Sequence, residues 1–277
     1  MATMTSEPKV LDTTSPMAIR SPWPKIEGEC EMNRNFQNNP YLPYYEGNSL
    51  GQQQPSPSMP ILSKFFKKNK VAKILDFYCG TGRNSIFLSK EGFEVYGFDA
   101  SELAIRKANE RRRKERTNVA FAVLEYQNKL PYKDDSFDAV IAVRALYQAK
   151  VQKIKQDIEE ICRVIRSGGY LYIESDQKTV WEERRAYGQV RTSERGTYVH
   201  SDGNYYHYFT KRELRTFFNG YRIVRFYYKN RRFYIVYQKS LKGCEKLKDN
   251  IVPIRGLTHS NRSHDTFLGE QENKSIW

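Results

Sequence analysis

At 277 residues the chain is long enough for one domain of ordinary size with appended tails. Its hydrophobic content is 39% with a mean hydropathy of -0.75, and no apolar run is long enough for a bilayer. This argues against a membrane-spanning chain and sets the expectation of a soluble, cytoplasmic protein. Lys and Arg number 46 against 32 Asp and Glu, a net charge of +14. That excess suits a polyanionic partner such as RNA or DNA, and equally a generally basic surface.

Residues 1–32 are rich in Ser, Thr and Pro, without apolar periodicity, and read as a disordered N-terminal tail. Residues 33–56 differ, because Phe36, Tyr41, Tyr44 and Tyr45 are unusually aromatic for a linker. Ser58 is placed to cap a helix over 59–68, whose apolar stripe is Met59, Ile61, Leu62, Phe65 and Phe66.

The stretch 73–101 organises the chain. Residues 72–77 form an unbroken apolar run suited to a strand buried on both faces. The turn Gly80-Thr81-Gly82 allows positive φ and close approach of a ligand to the backbone. A short helix over 84–90 stops at Gly92, and a second buried strand over 94–98 ends in Asp99. An acid about 20 residues beyond such glycines is the arrangement for an adenosine-type ligand, with the carboxylate on the ribose hydroxyls. Ser85 stands where a dinucleotide site wants a third glycine, and Asp76 would repel a diphosphate but suit a cation.

At these residues the chain resembles the class I S-adenosylmethionine-dependent methyltransferases. Asp76-Phe77-Tyr78-Cys79-Gly80-Thr81-Gly82-Arg83 and Gly97-Phe98-Asp99 follow that family's first and second motifs. The resemblance covers residues 57–239 and is nearest to single-domain, small-molecule and tellurite-resistance types. It implies a Rossmann-like α/β fold: a seven-stranded, mostly parallel sheet with helices on both faces and a final antiparallel hairpin. S-adenosylmethionine is the implied cofactor. Asp76, Tyr78, Gly80 and Gly82 would lie at its methionine end and Asp99 at the ribose, with Ala100 a further cofactor contact. The segment at residues 41–45 would be a lid or a cap on the sheet edge. Tyr78 departs from the family, which has a small residue there. Its ring either points away from the cofactor or alters the site.

Further along, residues 101–116 read as a helix with acid first and base last, which complements the helix dipole. A buried strand over 118–124 follows. The resemblance then implies an adenine-binding acid at Glu125, or Tyr126 if the alignment shifts by one. A strand over 139–143 ends beside Arg144 and Tyr147, which become acceptor-site candidates because ligands sit at the carboxyl ends of open sheets. Residues 151–165 give a helix with one apolar face, and Cys162 reads as buried filler. Ser167-Gly168-Gly169 turns into a strand over 170–174.

Residues 176–208 read as an irregular insertion rich in arginine and aromatics, with Trp181 and Tyr205 as acceptor-site candidates. Thr210 caps a helix over 211–218, and 221–228 with 231–239 form a hairpin. Residues 240–277 read as a polar tail. The four cysteines form no Cys-x-x-Cys pair and are expected to be reduced, and no metal site is indicated.

Methyl transfer needs alignment of the acceptor more than a conspicuous catalytic group. Where a base is required, His207 ranks first, ahead of His200 and Tyr147. A small-molecule acceptor is the leading expectation. RNA or protein methylation and a non-catalytic binding role are the alternatives.

Overall fold

A computed structural model describes residues 53–124, 129–176, 190–200, 203–230 and 232–241. Helix α1, Met59–Lys68, leads into β1, Lys73–Phe77. Helix α2, Arg83–Lys90, connects β1 to β2, Glu94–Asp99. Helix α3, Glu102–Lys114, leads to β3, Ala120–Val123. Strand β4, Phe137–Val143, is followed by α4, Val151–Val164, and β5, Ile165–Asp176. Three short strands come next: β6, Val190–Arg191; β7, Thr197–Val199; and β8, Tyr205–His207. Helix α5, Lys211–Phe217, then precedes β9, Tyr221–Lys229, and β10, Arg232–Lys239.

The main sheet has the order β3-β2-β1-β4-β5-β10-β9. Its first five members pair in parallel, and β10 enters antiparallel between β5 and β9. Parallel neighbours require long crossovers, which the helices supply. The chain runs outward from β1 through β2 to β3, then returns to β4 on the other side. That reversal opens a crevice at the carboxyl ends of β1 and β4.

Each face of the sheet buries its own apolar layer. On one face Ile154, Ile158 and Ile161 of α4 meet Phe77, Phe98 and Phe209. On the other Met59, Leu62 and Phe66 of α1 meet Ile74, Ile86 and Tyr172. The capping box expected around Thr210 is formed, with Glu213 as its reciprocal partner.

Several expectations are corrected. Ser58 is the residue before α1, yet its hydroxyl makes no cap; it lies in contact with Ser56 and Glu174. Strand β3 is an edge strand with Val123 43% exposed, so it is not buried. Gly168 and Gly169 lie inside β5, which begins at Ile165 directly from α4. A side chain at Gly169 would come within 2.7 Å of the Asp138 carbonyl, which explains glycine there. The described part of residues 176–208 is not irregular: β6, β7 and β8 form a separate antiparallel sheet. Cys162 is disulfide-bonded rather than reduced, whereas Cys79 is a free, buried thiol.

Candidate functional site

The turn after β1 is built from backbone that only some residues accept. Tyr78, Gly80 and Gly82 all have positive φ, at 54°, 55° and 72°. Tyr78 thus adopts a conformation that glycine takes without strain. Its ring packs on Phe77 and Phe98, with centroids 4.8 and 5.3 Å away. At Gly82 the close neighbour is the Phe121 ring, 2.6 Å from where a Cβ would stand. Gly82 therefore serves helix–sheet packing as well as the turn. The Cys79 amide donates to the Phe98 carbonyl at 2.8 Å, which ties the turn to β2. Burial, then the carboxylates of Asp76 and Asp99, push the Cys79 thiol up, so it is a packing group.

Two carboxylates flank this turn. Asp76 is 1% exposed and accepts a hydrogen bond from Ser85 Oγ at 2.5 Å. Burial pushes its carboxyl up to about 7, and the Ser85 bond and the Arg83 charge offset only part of that shift. A cation placed nearby would favour its ionised form. Asp99 is buried at the tip of β2. Its Oδ2 accepts from the Gly80 amide and its Oδ1 from the Ser101 amide, both at 2.9 Å. Ala100, between them, is half-buried. The set fits S-adenosylmethionine chemically: a buried acid for a cationic group, a glycine turn, and a carboxylate whose oxygens retain accepting capacity for hydroxyls.

The chain ahead of α1 crosses the start of α2. Arg83 Nη1 donates to the Gln54 carbonyl at 3.0 Å, and the Ser56 amide donates to Asn84 Oδ1 at 2.9 Å. Ser56 Oγ donates to Glu174 Oε2 at 2.5 Å. This short segment therefore joins the turn after β1 to the end of β5.

A second polar group lies at the ends of β4 and β5. Arg144 has φ 56°, and its amide donates to the Glu174 carbonyl at 2.8 Å. Tyr147 is buried, and its hydroxyl stands 3.5 Å from Asp176 Oδ2. Arg232 donates through Nε to Asp176 Oδ1 at 2.8 Å and through Nη1 to Glu174 Oε1 at 3.2 Å. Burial, then the Asp176 charge, pushes the Tyr147 phenol far above its usual range, which favours its neutral form over a role as base. Sequence reasoning missed Glu174, Asp176 and Arg232. The available signal was charge at the end of an apolar strand and at the start of its neighbour.

The remaining candidates fall elsewhere. His207 is fully buried, with Nδ1 2.9 Å from Thr197 Oγ1 and its ring packed edge-on to Phe209. This burial does not support a role as general base. His200 stacks on Tyr206 with centroids 3.8 Å apart. Tyr205 is half-buried, and Lys150 Nζ lies 4.4 Å from its ring centre. Glu125, Tyr126, Trp181 and residues 41–45 lie outside the described residues. Among the described residues no group of His, Cys, Asp and Glu is arranged to hold a metal ion, and no helix is long and apolar enough to cross a membrane.

Comparison with known proteins yields one family. The model of a methyltransferase domain matches residues 68–219. The probable S-adenosyl-L-methionine-dependent methyltransferase TehB of Haemophilus influenzae is 28% identical over 107 residues, 39% of this chain and 37% of that protein. The tRNA (uracil(54)-C(5))-methyltransferase of Pyrococcus horikoshii is 28% identical over 117 residues, 41% of this chain and 28% of its own. This chain therefore spans well under half the length of these curated relatives. A crystal structure of a SAM-dependent methyltransferase from Methanosarcina mazei superposes with a TM-score of 0.58 at 27% identity, covering 66% of this chain and 98% of that one.

Proposed function

Because this chain belongs to the methyltransferase-domain family, with the class I fold, we propose that it transfers a methyl group from S-adenosylmethionine to an acceptor held at the carboxyl ends of β4 and β5. When bound, S-adenosylmethionine supplies a methyl group already activated by its sulfonium. Asp76 and the turn through Gly80 and Gly82 would hold the methionine end, and Asp99 with Ala100 the ribose. Glu125 is the proposed adenine contact. The catalytic domain is taken to span residues 57–239, with residues 1–32, 33–56 and 240–277 as appended segments.

The single observation that carries this reading is the buried pair of carboxylates, Asp76 and Asp99, set on either side of a left-handed turn at the sheet's switch point. The protein's own contribution is alignment and exclusion of water. Tyr147 would orient the acceptor as a neutral hydrogen-bond donor. Arg144, Trp181 and Tyr205 would line its approach. Asp176 and Glu174 fix the Arg232 guanidinium beside it. A small-molecule acceptor fits best, because the polar groups at this end are buried. RNA remains the alternative, as the tRNA-modifying relative illustrates.

A second reading, a binding protein without catalysis, is favoured by one observation: Tyr78 holds a left-handed conformation where the family has a small residue. Calorimetric titration with S-adenosylmethionine and S-adenosylhomocysteine tests both. Saturable binding, followed by transfer of tritiated methyl to the small-molecule fraction of a cell extract, supports catalysis. Binding with no transfer to small molecules, RNA or protein supports the second reading. Absence of binding at millimolar ligand removes catalysis and supports the second reading, with Tyr78 closing the cofactor site.

A further inference from the structure

The hairpin β9–β10 forms one edge of the main sheet. Strand β9 carries Arg222, Arg225 and Lys229 and no acidic residue. The antiparallel register sets Arg232 opposite Lys229, Tyr234 opposite Tyr227 and Val236 opposite Arg225. Residues directly opposed point to the same face, and every second residue along a strand shares it. Lys229, Tyr227 and Arg225 therefore lie on one face with Arg232 and Tyr234. Beyond the irregularity at Val236/Tyr237, Arg222 Nη2 donates to Gln238 Oε1 at 2.6 Å and joins the same row.

The cations of the row are open to solvent, and its rings are partly covered. Arg222, Arg225 and Lys229 are exposed, and Tyr227 and Tyr234 are half-buried. The two tyrosine rings neighbour each other at 5.9 Å. The acids opposite this row on β5, Glu174 and Asp176, are buried and engaged by Arg232. What the face offers is paired aromatic surface flanked by cations, repeating along β9 at about 6.8 Å for every second residue.

We propose that this face binds single-stranded RNA, with bases against Tyr227 and Tyr234 and phosphates against Arg222, Arg225 and Lys229. Flat sheet surfaces recognise single strands by stacking bases on exposed rings while cations track the backbone. An acidic peptide would use the cations but leave the rings idle. The variants that test it lie on β9, three strands from β4, so their effect is distinguishable from one on the acceptor end of β4 and β5.

The test is fluorescence polarisation of the full chain with labelled oligo(U) of about 12 nucleotides, within the range of single-strand site sizes. Saturable binding is expected, with a log–log salt slope of about −2 for three phosphate contacts. Arg225→Glu with Lys229→Glu should weaken binding more than about tenfold and flatten the slope toward about −0.7. Tyr227→Ala should weaken binding about tenfold and leave the slope unchanged. Circular dichroism and S-adenosylhomocysteine binding, both expected to match wild type, show that these variants are folded. The proposal is overturned by any of three results: no saturation at low salt, wild-type affinity in Tyr227→Ala, or preference for poly-glutamate over oligo(U).

Discussion

The Gly80 amide donates to Asp99 Oδ2 at 2.9 Å, so the tip of β2 fastens the turn that follows β1. The other oxygen of the same carboxylate accepts from Ser101, just ahead of α3. Asp99 thus holds together the backbone that a nucleoside would meet, beyond any contact it makes with ribose.

Replacement of Asp99 should accordingly affect folding and binding together. Asp99→Ala leaves two amides without their acceptor and should cost about 3 kcal/mol. Asp99→Asn, whose amide oxygen still accepts, should lose roughly half of that. Urea denaturation measures the stability and calorimetry with S-adenosylhomocysteine the affinity. Wild-type stability in Asp99→Ala would show that the two amide bonds contribute nothing.

Asp76 sets a pH dependence with a definite sign. Its carboxyl is raised from 3.8 to about 7 by burial, so the folded state holds its proton more tightly than the unfolded state. The contribution to stability is fully present below about pH 4 and is lost as pH rises through about 7, an effect on the order of 4 kcal/mol. Asp76→Asn should melt higher than wild type near pH 8, with the gap closing toward pH 4. A bound cation needs the ionised acid, so S-adenosylmethionine affinity should rise with pH through about 7 in wild type and stay flat in Asp76→Asn. Melting curves and titrations across this range decide it; parallel profiles for the two proteins would remove the assignment.

Tyr78 combines a strained backbone with a packed ring. A left-handed conformation costs a non-glycine residue about 1–2 kcal/mol. Tyr78→Ala keeps that strain and loses the contacts with Phe77 and Phe98. Tyr78→Gly loses the contacts and the strain together. The glycine variant should therefore be more stable than the alanine variant by about 1 kcal/mol. Equal denaturation midpoints for the two would mean that the φ of 54° carries no strain.

The His207 ring fills space between Thr197 and Phe209. His207→Ala should lose about 2–4 kcal/mol through the cavity it leaves. His207→Phe, which restores the volume, should keep methyl transfer once an acceptor is in hand, with an unchanged pH–rate profile. Loss of transfer in that folded variant would reinstate the imidazole as a catalytic group.

Local signals carry the half of the candidate site built on β1 and β2. Mostly apolar runs at 73–77 and 94–98, glycines between them and an acid at the second tip depend on neighbours within about 30 residues, the span of one β-α-β unit. Such a unit is legible because backbone conformation and burial are set within it. The half at the ends of β4 and β5, proposed to hold the acceptor, was not legible in the same way. Arg232 reaches Asp176 and Glu174 across 56 and 58 residues, and Ser56 reaches Glu174 across 118. Sequence periodicity carries no information about such pairings, which arise only when β10 inserts beside β5 and the segment ahead of α1 reaches its end. His207 shows the same limit from the other side. Its identity suggested chemistry, but the packing of β8 against α5 buried the ring, and burial is a property of the assembled fold.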